Sequence, residues 1–461
     1  MFKPSIYSNR RSRLFQQLNS GVVLLLGNEL SPMNCRDNVY PFRQDSSFSY
    51  FFGVDLPHMA AILDLDKGES TLFGDDPKIE DIVWTGPQPS LAAWGEKSGV
   101  AQVMLYEKLS ETIAGFLQKG RKIHLLPPYR PENRIQLSKL LSCNLEAVDH
   151  FVSVPLIQAV VAQRAIKSAA EIMDMERAVN TTGKMHVAAM QHARAGMVEA
   201  ELAGLVEGIA VGGGGQLSYP VILTVNGQTL HNHHHHNVLQ NGQLVLGDFG
   251  AETALHYAGD ITRTFPVDQK FTNKQKEIYE IVLKAEVDVI QALKPGIRFL
   301  DMHKMAARII SNGLKDLGIM KGNPDEAVEA GAHALFFPHG LGHMIGLDVH
   351  DMEDLGEDYV GYADELTRDP RFGYKSLRLA RTLEPGYVLT VEPGIYFIPE
   401  LIQAWRGEGK FKDFINYEAL DNYMDFSGIR IEDNILITET GHRILGDPIP
   451  KTVAEVEALR S

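Results

Sequence analysis

Cysteine is nearly absent from this 461-residue chain, with Cys35 and Cys143 the only two. Two thiols cannot build a disulfide framework, and they suit a reducing compartment. Long apolar runs are also missing. The longest early one, Val22 to Leu26, is too short for a membrane span or a signal-peptide core, and the start, MFKPSIYSNRRSRLF, has no cleavable apolar stretch. The expectation is a cytoplasmic protein with no membrane partner. Positive charge is in deficit, with 44 Lys+Arg against 59 Asp+Glu and a net charge of -15. Such a chain repels phosphate backbones, and no local basic patch offsets this, so nucleic acid is not expected as a partner. Several catalytic signatures are lacking too. There is no HExxH and no GxSxG. Gly212 to Gly215 is not followed by the GK[ST] of a phosphate loop, and the DFG within GDFG has no HRD loop to accompany it.

What is present is a globular composition, 44% hydrophobic and 22% charged. The length favours two domains. The first third reads as α/β. Arg10 to Leu18 suggests a helix, GVVLLLG a buried strand and AAILDLDKGESTLFG two strands joined at Asp66-Lys67-Gly68. QVMLYEKLSETIAGFLQKG and KIHLLPP add a strand, a helix and a strand. After Val154-Pro155, Ser168 and Glu171 form a capping box ahead of helically spaced Ile172, Met175 and Val179. The domains are therefore placed at 1–165 and 166–461. Within the second, helices are expected near 168–194 and 199–211, then strands, and again near 273–293 and 301–317, then strands. That doubling suggests a pseudo-symmetric α+β domain. The polar stretches 352–382 and 399–427 read as long loops or insertions.

Four apolar, strand-like segments each carry one carboxylate: QLVLGDFGAE, YAGDITRTFPV, VLTVEPGIYF and GIRIEDNILIT, holding Asp248, Asp260, Glu392 and Glu432. A lone carboxylate in such a place is more often solvated, but four in matching contexts are seldom buried without pairing or a metal. In FFPHGLGHMIGLDVHD, His339, His343 and His350 lie among glycines and apolar residues, and imidazole is the commonest nitrogen ligand of catalytic metals. Four carboxylates match the charge of two divalent ions. An oxygen-rich, thiolate-free set suits Mn²⁺ and tolerates Co²⁺ or Zn²⁺, and paired ions can activate a shared water and polarise a carbonyl. The HNHHHHN run, His231 to Asn237, reads as a loop with incidental metal affinity.

The ordered set Asp248, Asp260, His343, Glu392 and Glu432 resembles the pita-bread dinuclear metallopeptidases. The motifs YAGDITRTFPV, HGLGHMIGLDVHD, LTVEPGIYF and GIRIEDNI are similar to those of the aminopeptidase P and prolidase (Xaa-Pro peptidase) branch, and PFRQDSSFSYFFG resembles that branch's N-terminal domain. The resemblance implies a pita-bread catalytic domain behind an α/β domain. It implies that Asp248 and Asp260 bind one ion and His343 and Glu392 the other, with Asp260 and Glu432 bridging and a bridging hydroxide as nucleophile. Glu392 would move the proton. His231 and His350 would serve catalysis and substrate binding, His339 and Arg430 would line the site, and Arg378 would capture a substrate carboxylate. The twelve-residue spacing of the two aspartates suggests a wide ribbon turn.

The expected reaction is hydrolysis of the Xaa-Pro bond at the N-terminus of proline-containing dipeptides or peptides. A proline amide has no N–H, so the site needs no acceptor there. The leading reading is an Xaa-Pro dipeptidase. The alternative is an Xaa-Pro aminopeptidase acting on longer peptides, and a distant one is a non-catalytic binding protein of the same fold. A homodimer or homotetramer is expected from the resemblance.

Overall fold

The computed structural model describes residues 1–362 and 366–460. The chain falls into two compact units: Met1–Arg164 with Asp354–Tyr359, and Ala165–Glu353 with Val360–Ser461.

The first unit is built on a five-stranded sheet. In spatial order its strands are Gln102–Leu105, Glu69–Gly74, Ala60–Asp64, Val22–Leu26 and Ile123–His124. The three central strands pair antiparallel and both outer ones join in parallel. Val22, Leu24, Ile62 and Phe73 form a core with Leu109 and Ile113 of helix Lys108–Gln118 and Leu137 of helix Pro131–Leu140. The continuous apolar runs become strands because both sheet faces are covered.

The second unit repeats one theme. Helices Ala169–His192 and Glu199–Gly212 precede an antiparallel sheet of Ile222–Thr224, Leu244–Phe249 and Ile261–Pro266. Helices Asn273–Ala292 and Phe299–Asp316 precede Val388–Val391, Asp433–Ile437 and His442–Ile444, with Gly394–Tyr396 paired to Gly428–Arg430. The long helices begin where local chemistry says they should. The Ser168 N–H donates to Glu171 Oε2 at 2.9 Å, and Thr272 and Gln275 exchange the same pair of bonds at 2.8 and 3.2 Å.

The stretch expected as a loop at 399–427 contains helix Pro399–Glu408. Proline opens it, Ile402 and Trp405 are buried, and Gly409 closes it at φ 62°. Two apolar anchors on one face outweigh the polar average of the segment. The 352–382 stretch holds short helical turns at Glu353–Leu355 and Glu357–Val360, and its residues 363–365 lie outside the described residues.

Candidate metal centre

The second unit's sheets place the four carboxylates. Asp248 sits inside Leu244–Phe249, opposite Thr262 on the neighbouring strand. The other three lie at strand ends and not within strands, which corrects the sequence expectation. Asp260 immediately precedes Ile261–Pro266, Glu392 follows Val388–Val391, and Glu432 falls between Gly428–Arg430 and Asp433–Ile437. Their backbone amides leave the ladders for other acceptors: Asp260 N–H to Asn434 Oδ1, Glu392 N–H to Leu341 O and Glu432 N–H to Thr262 O. Ladder pairing stops where these side chains turn toward one another. Between the two aspartates the ribbon closes through a turn in which His256 takes φ 66° and its Nδ1 lies 2.6 Å from Glu252.

Asp260, His343 and Glu432 each offer a ligand atom within 4.8 Å of the others. His343 Nε2 lies 3.3 Å from Asp260 Oδ2 and 3.5 Å from Glu392 Oε1. His343 reaches this point because Gly342 allows close approach: a Cβ there would stand 2.0 Å from Thr390 O. The Tyr219 hydroxyl lies 2.6 Å from Asp248 Oδ1 and also touches Asp260, and Arg430 Nη2 donates to Asp248 Oδ2 at 2.5 Å. Thr262 donates to Glu432 Oε2 at 2.6 Å and Thr390 to Glu392 at 3.3 Å.

The electrostatics are those of acids crowded out of water. Burial pushes Glu392 up to about 7, with Asp260 and Asp248 adding repulsion against the pull of His343 and Arg430. Burial, then Asp260 and Glu392, hold Glu432 well above the ordinary range. Burial raises Asp248 against the opposing charge of Arg430. Burial acts the same way on Asp260, but the hydrogen bond and charge of His343 prevail and lower it. Glu432 Oε1 is buried with no hydrogen-bond partner among the described residues. Protons are thus held where divalent cations would neutralise the same charge, and one acceptor is left open. The residues fit a divalent centre.

The remaining residues named from sequence surround this cluster. His350 packs edge-on against His343 with ring centroids 4.4 Å apart, and its Nδ1 lies 2.7 Å from Glu353. Burial and the neighbouring His343 lower it to about 4. Arg378 Nη1 lies 3.2 Å from the same Glu353. His339 Nδ1 is 2.8 Å from Gly340 O and Nε2 is 2.8 Å from the Tyr396 hydroxyl, so both ring nitrogens are engaged. Arg430 is buried and binds Asp248, Tyr396 and Thr262. Its donors support the cluster as well as line the site. His231 is exposed, and its pKa falls through partial burial and the nearby charge of Arg430. Sequence reasoning missed Tyr219, Tyr396, Thr262, Thr390 and Glu353. One signal was available: Thr262 and Thr390 each stand two positions from a cluster carboxylate, a spacing that puts side chains on one side of an extended chain.

Comparison with known proteins gives the family. Residues 173–439 match Metallopeptidase family M24 and residues 7–125 match the aminopeptidase P N-terminal domain. The human Xaa-Pro dipeptidase is 33% identical over 98% of this chain and 93% of its own length. A probable Xaa-Pro aminopeptidase of Sordaria macrospora is 34% identical over 95% of the chain and 91% of its own. Escherichia coli aminopeptidase P, solved in complex with substrate, superposes with a TM-score of 0.81 at 31% identity, covering 100% of this chain and 98% of that one. The chain belongs to Metallopeptidase family M24, in its aminopeptidase P and prolidase branch, with the α+β catalytic domain and N-terminal domain of that branch. It is a metal-dependent peptidase whose family uses divalent ions.

Proposed function

We infer that this chain hydrolyses the Xaa-Pro bond of dipeptides. The observation that carries the reading is the buried meeting of Asp260, His343 and Glu432, with Glu392 against His343 and Asp248 joined to Asp260 through Tyr219. Asp248 and Asp260 would hold one ion, His343 and Glu392 the second, and Asp260 and Glu432 would be shared. The oxygen-rich donors favour Mn²⁺ over Co²⁺ or Zn²⁺. Bound ions supply an activated water and polarise the scissile carbonyl. Glu392 would take a proton from the attacking water and pass it to the proline nitrogen, which then leaves as an amine. With Glu353 accepting a hydrogen bond from the Nδ1–H of His350, the Nε2 lone pair would be left to receive a proton or a substrate hydrogen bond. His231 and His339 would bound the substrate. Arg378, placed by the Glu353 that also holds His350, is the candidate for the dipeptide carboxylate.

Longer Xaa-Pro peptides are the second reading, favoured by full-length likeness to aminopeptidase P structures. Mn²⁺-loaded enzyme given an Xaa-Pro dipeptide and an Xaa-Pro-Yaa tripeptide tests the choice. Cleavage of the dipeptide alone supports the first reading, tripeptide cleavage the second, and inertness toward both removes the Xaa-Pro assignment.

Two further parts of this reading concern the whole chain. We propose domains at 1–165 and 166–461, supported by the capping box that opens the helix at Ala169. We propose a homodimer or homotetramer assembled through the N-terminal unit, where Ile79, Val83 and Trp84 are exposed on one short helix. A cytoplasmic setting is supported by the two unpaired cysteines, and no helix among the described residues is long and apolar enough to cross a membrane.

A further inference from the structure

We propose that Asn434 is a positioning residue that sets the separation of Asp260 and Glu432, with Arg263 fixing the backbone from which it reaches. The proposal rests on the reading above that these two carboxylates are shared between ions. The two halves of the second unit meet at a seam. Asp260 faces Asn434, Thr262 faces Glu432 and Thr264 faces Arg430, an antiparallel register between segments that belong to different sheets.

Backbone meets backbone in the middle of the seam, where the Glu432 N–H donates to Thr262 O at 3.1 Å. At either end a side chain takes the place of a peptide group. The Thr264 hydroxyl accepts from the Arg430 N–H at 3.2 Å and donates to Arg430 O at 3.0 Å. The buried Asn434 carboxamide accepts from the Asp260 N–H on Oδ1 at 3.1 Å and donates from Nδ2 to Asp260 O at 2.6 Å. A carboxamide carries the acceptor and the donor of a peptide group on a longer arm. It pairs with Asp260 as a ladder partner would, while standing the two backbones off by the length of a side chain.

Arg263 locks the other side of the seam. Its guanidinium is buried, and each of its five N–H groups has an acceptor at 2.7–3.1 Å: Pro450 O for Nε, Thr262 O and Glu432 O for Nη1, Asp433 Oδ1 and Ile449 O for Nη2. Residues 432 and 433 are thereby tied to Thr262, and the length of the Asn434 side chain decides where the Asp260 backbone stands. Two carboxylates that share a pair of ions must keep one separation. Partners that hold ligands in this way are worth about 10–100-fold in metal affinity.

The test is Mn²⁺ binding to the full-length protein by titration calorimetry, with electron paramagnetic resonance of the loaded samples. Mn²⁺ ions that share carboxylate bridges are exchange-coupled, whereas isolated ones give a six-line spectrum, so the signal reports the bridge and not stability. Asn434→Gln keeps both hydrogen-bonding groups and lengthens the arm by one methylene. It is expected to weaken the second ion about 10–100-fold and to replace the coupled spectrum by the six-line one. Asn434→Leu removes both bonds and should do the same, with lower stability to urea. Lys167→Met breaks the buried pair with Asp351, outside the seam, and should lose stability while keeping wild-type Mn²⁺ affinity. Wild-type affinity and coupling in both Asn434 variants overturn the proposal, as does an equal loss of affinity in Lys167→Met. Wild-type protein that binds a single ion, or two uncoupled ions, overturns the shared-carboxylate reading and the proposal with it.

Discussion

Glu392 is the residue on which most of the proposed chemistry turns. It is confined by His343 at 3.5 Å and by the Thr390 hydroxyl at 3.3 Å, and burial brings its pKa to about 7. Glu392→Gln keeps the shape and removes the titrating group. The expected outcome is an unchanged circular dichroism spectrum with kcat lowered about 10²–10⁴-fold, the usual worth of general acid–base help; turnover near that of wild type in a fully metallated mutant would exclude the role. Asp260→Asn is expected to reduce metal content, because an amide cannot supply the shared charge. Two ions per chain in that mutant would show that Asp260 is not a required bridge. These acids were legible in the sequence because a carboxylate among apolar residues is costly unless compensated. Tyr219 and Tyr396 were not. Each is one aromatic in an ordinary setting, and its role comes from partners far along the chain: Tyr219 reaches Asp260, and Tyr396 joins His339 to Arg430.

At the scale of elements, legibility followed the range of the interactions. Helix starts rest on contacts three residues apart, so Ser168 with Glu171 and Thr272 with Gln275 mark them in the sequence. Which strand pairs with which depends on meetings such as Thr262 with Glu432, 170 residues apart, and no local pattern encodes that. The turn bearing His350 depends on a long-range contact of the same kind. Lys167, just before the helix at Ala169, donates to Asp351 Oδ2 at 2.9 Å, and both side chains are 1% exposed. Gly346 lies under this pair: a Cβ there would stand 2.5 Å from Asp351 Oδ2. Lys167→Met would leave a buried carboxylate without its partner, at a cost of about 3–5 kcal/mol. Urea denaturation should show that loss, together with reduced kcat from a displaced His350. The double variant Lys167→Met/Asp351→Leu should recover much of the stability, since an apolar pair of similar volume replaces the ions. A Lys167→Met protein as stable as wild type would remove this pair from the account of how His350 is placed.

For the molecule as a whole, the same crowded acids tie stability, metal and pH together. Without metal, Glu392 is pushed up to about 7 and Glu432 is held well above its ordinary value, both chiefly through burial. An unfolded glutamate titrates at about 4.3. Between those values the folded, metal-free chain holds protons that the unfolded chain has released. Stability from these two groups is therefore fully present below about 4.3 and is lost as pH rises through their raised folded-state values, about 7 for Glu392. His343, raised by Asp260 and Glu392 against its burial, acts in the same direction, since its charged form is favoured in the fold. Divalent cations replace those protons, so their affinity should grow as the pH climbs. EDTA-treated protein is expected to melt at a lower temperature at pH 8 than at pH 6, and added Mn²⁺ should raise the melting temperature more at pH 8. Binding heats measured in two buffers of different ionisation enthalpy should reveal proton release near pH 6 that shrinks by pH 8. Equal Mn²⁺-induced shifts at both pH values, with no protons released, would mean that the carboxylates are already ionised without metal, and the electrostatic case for a cation-holding cluster would fail.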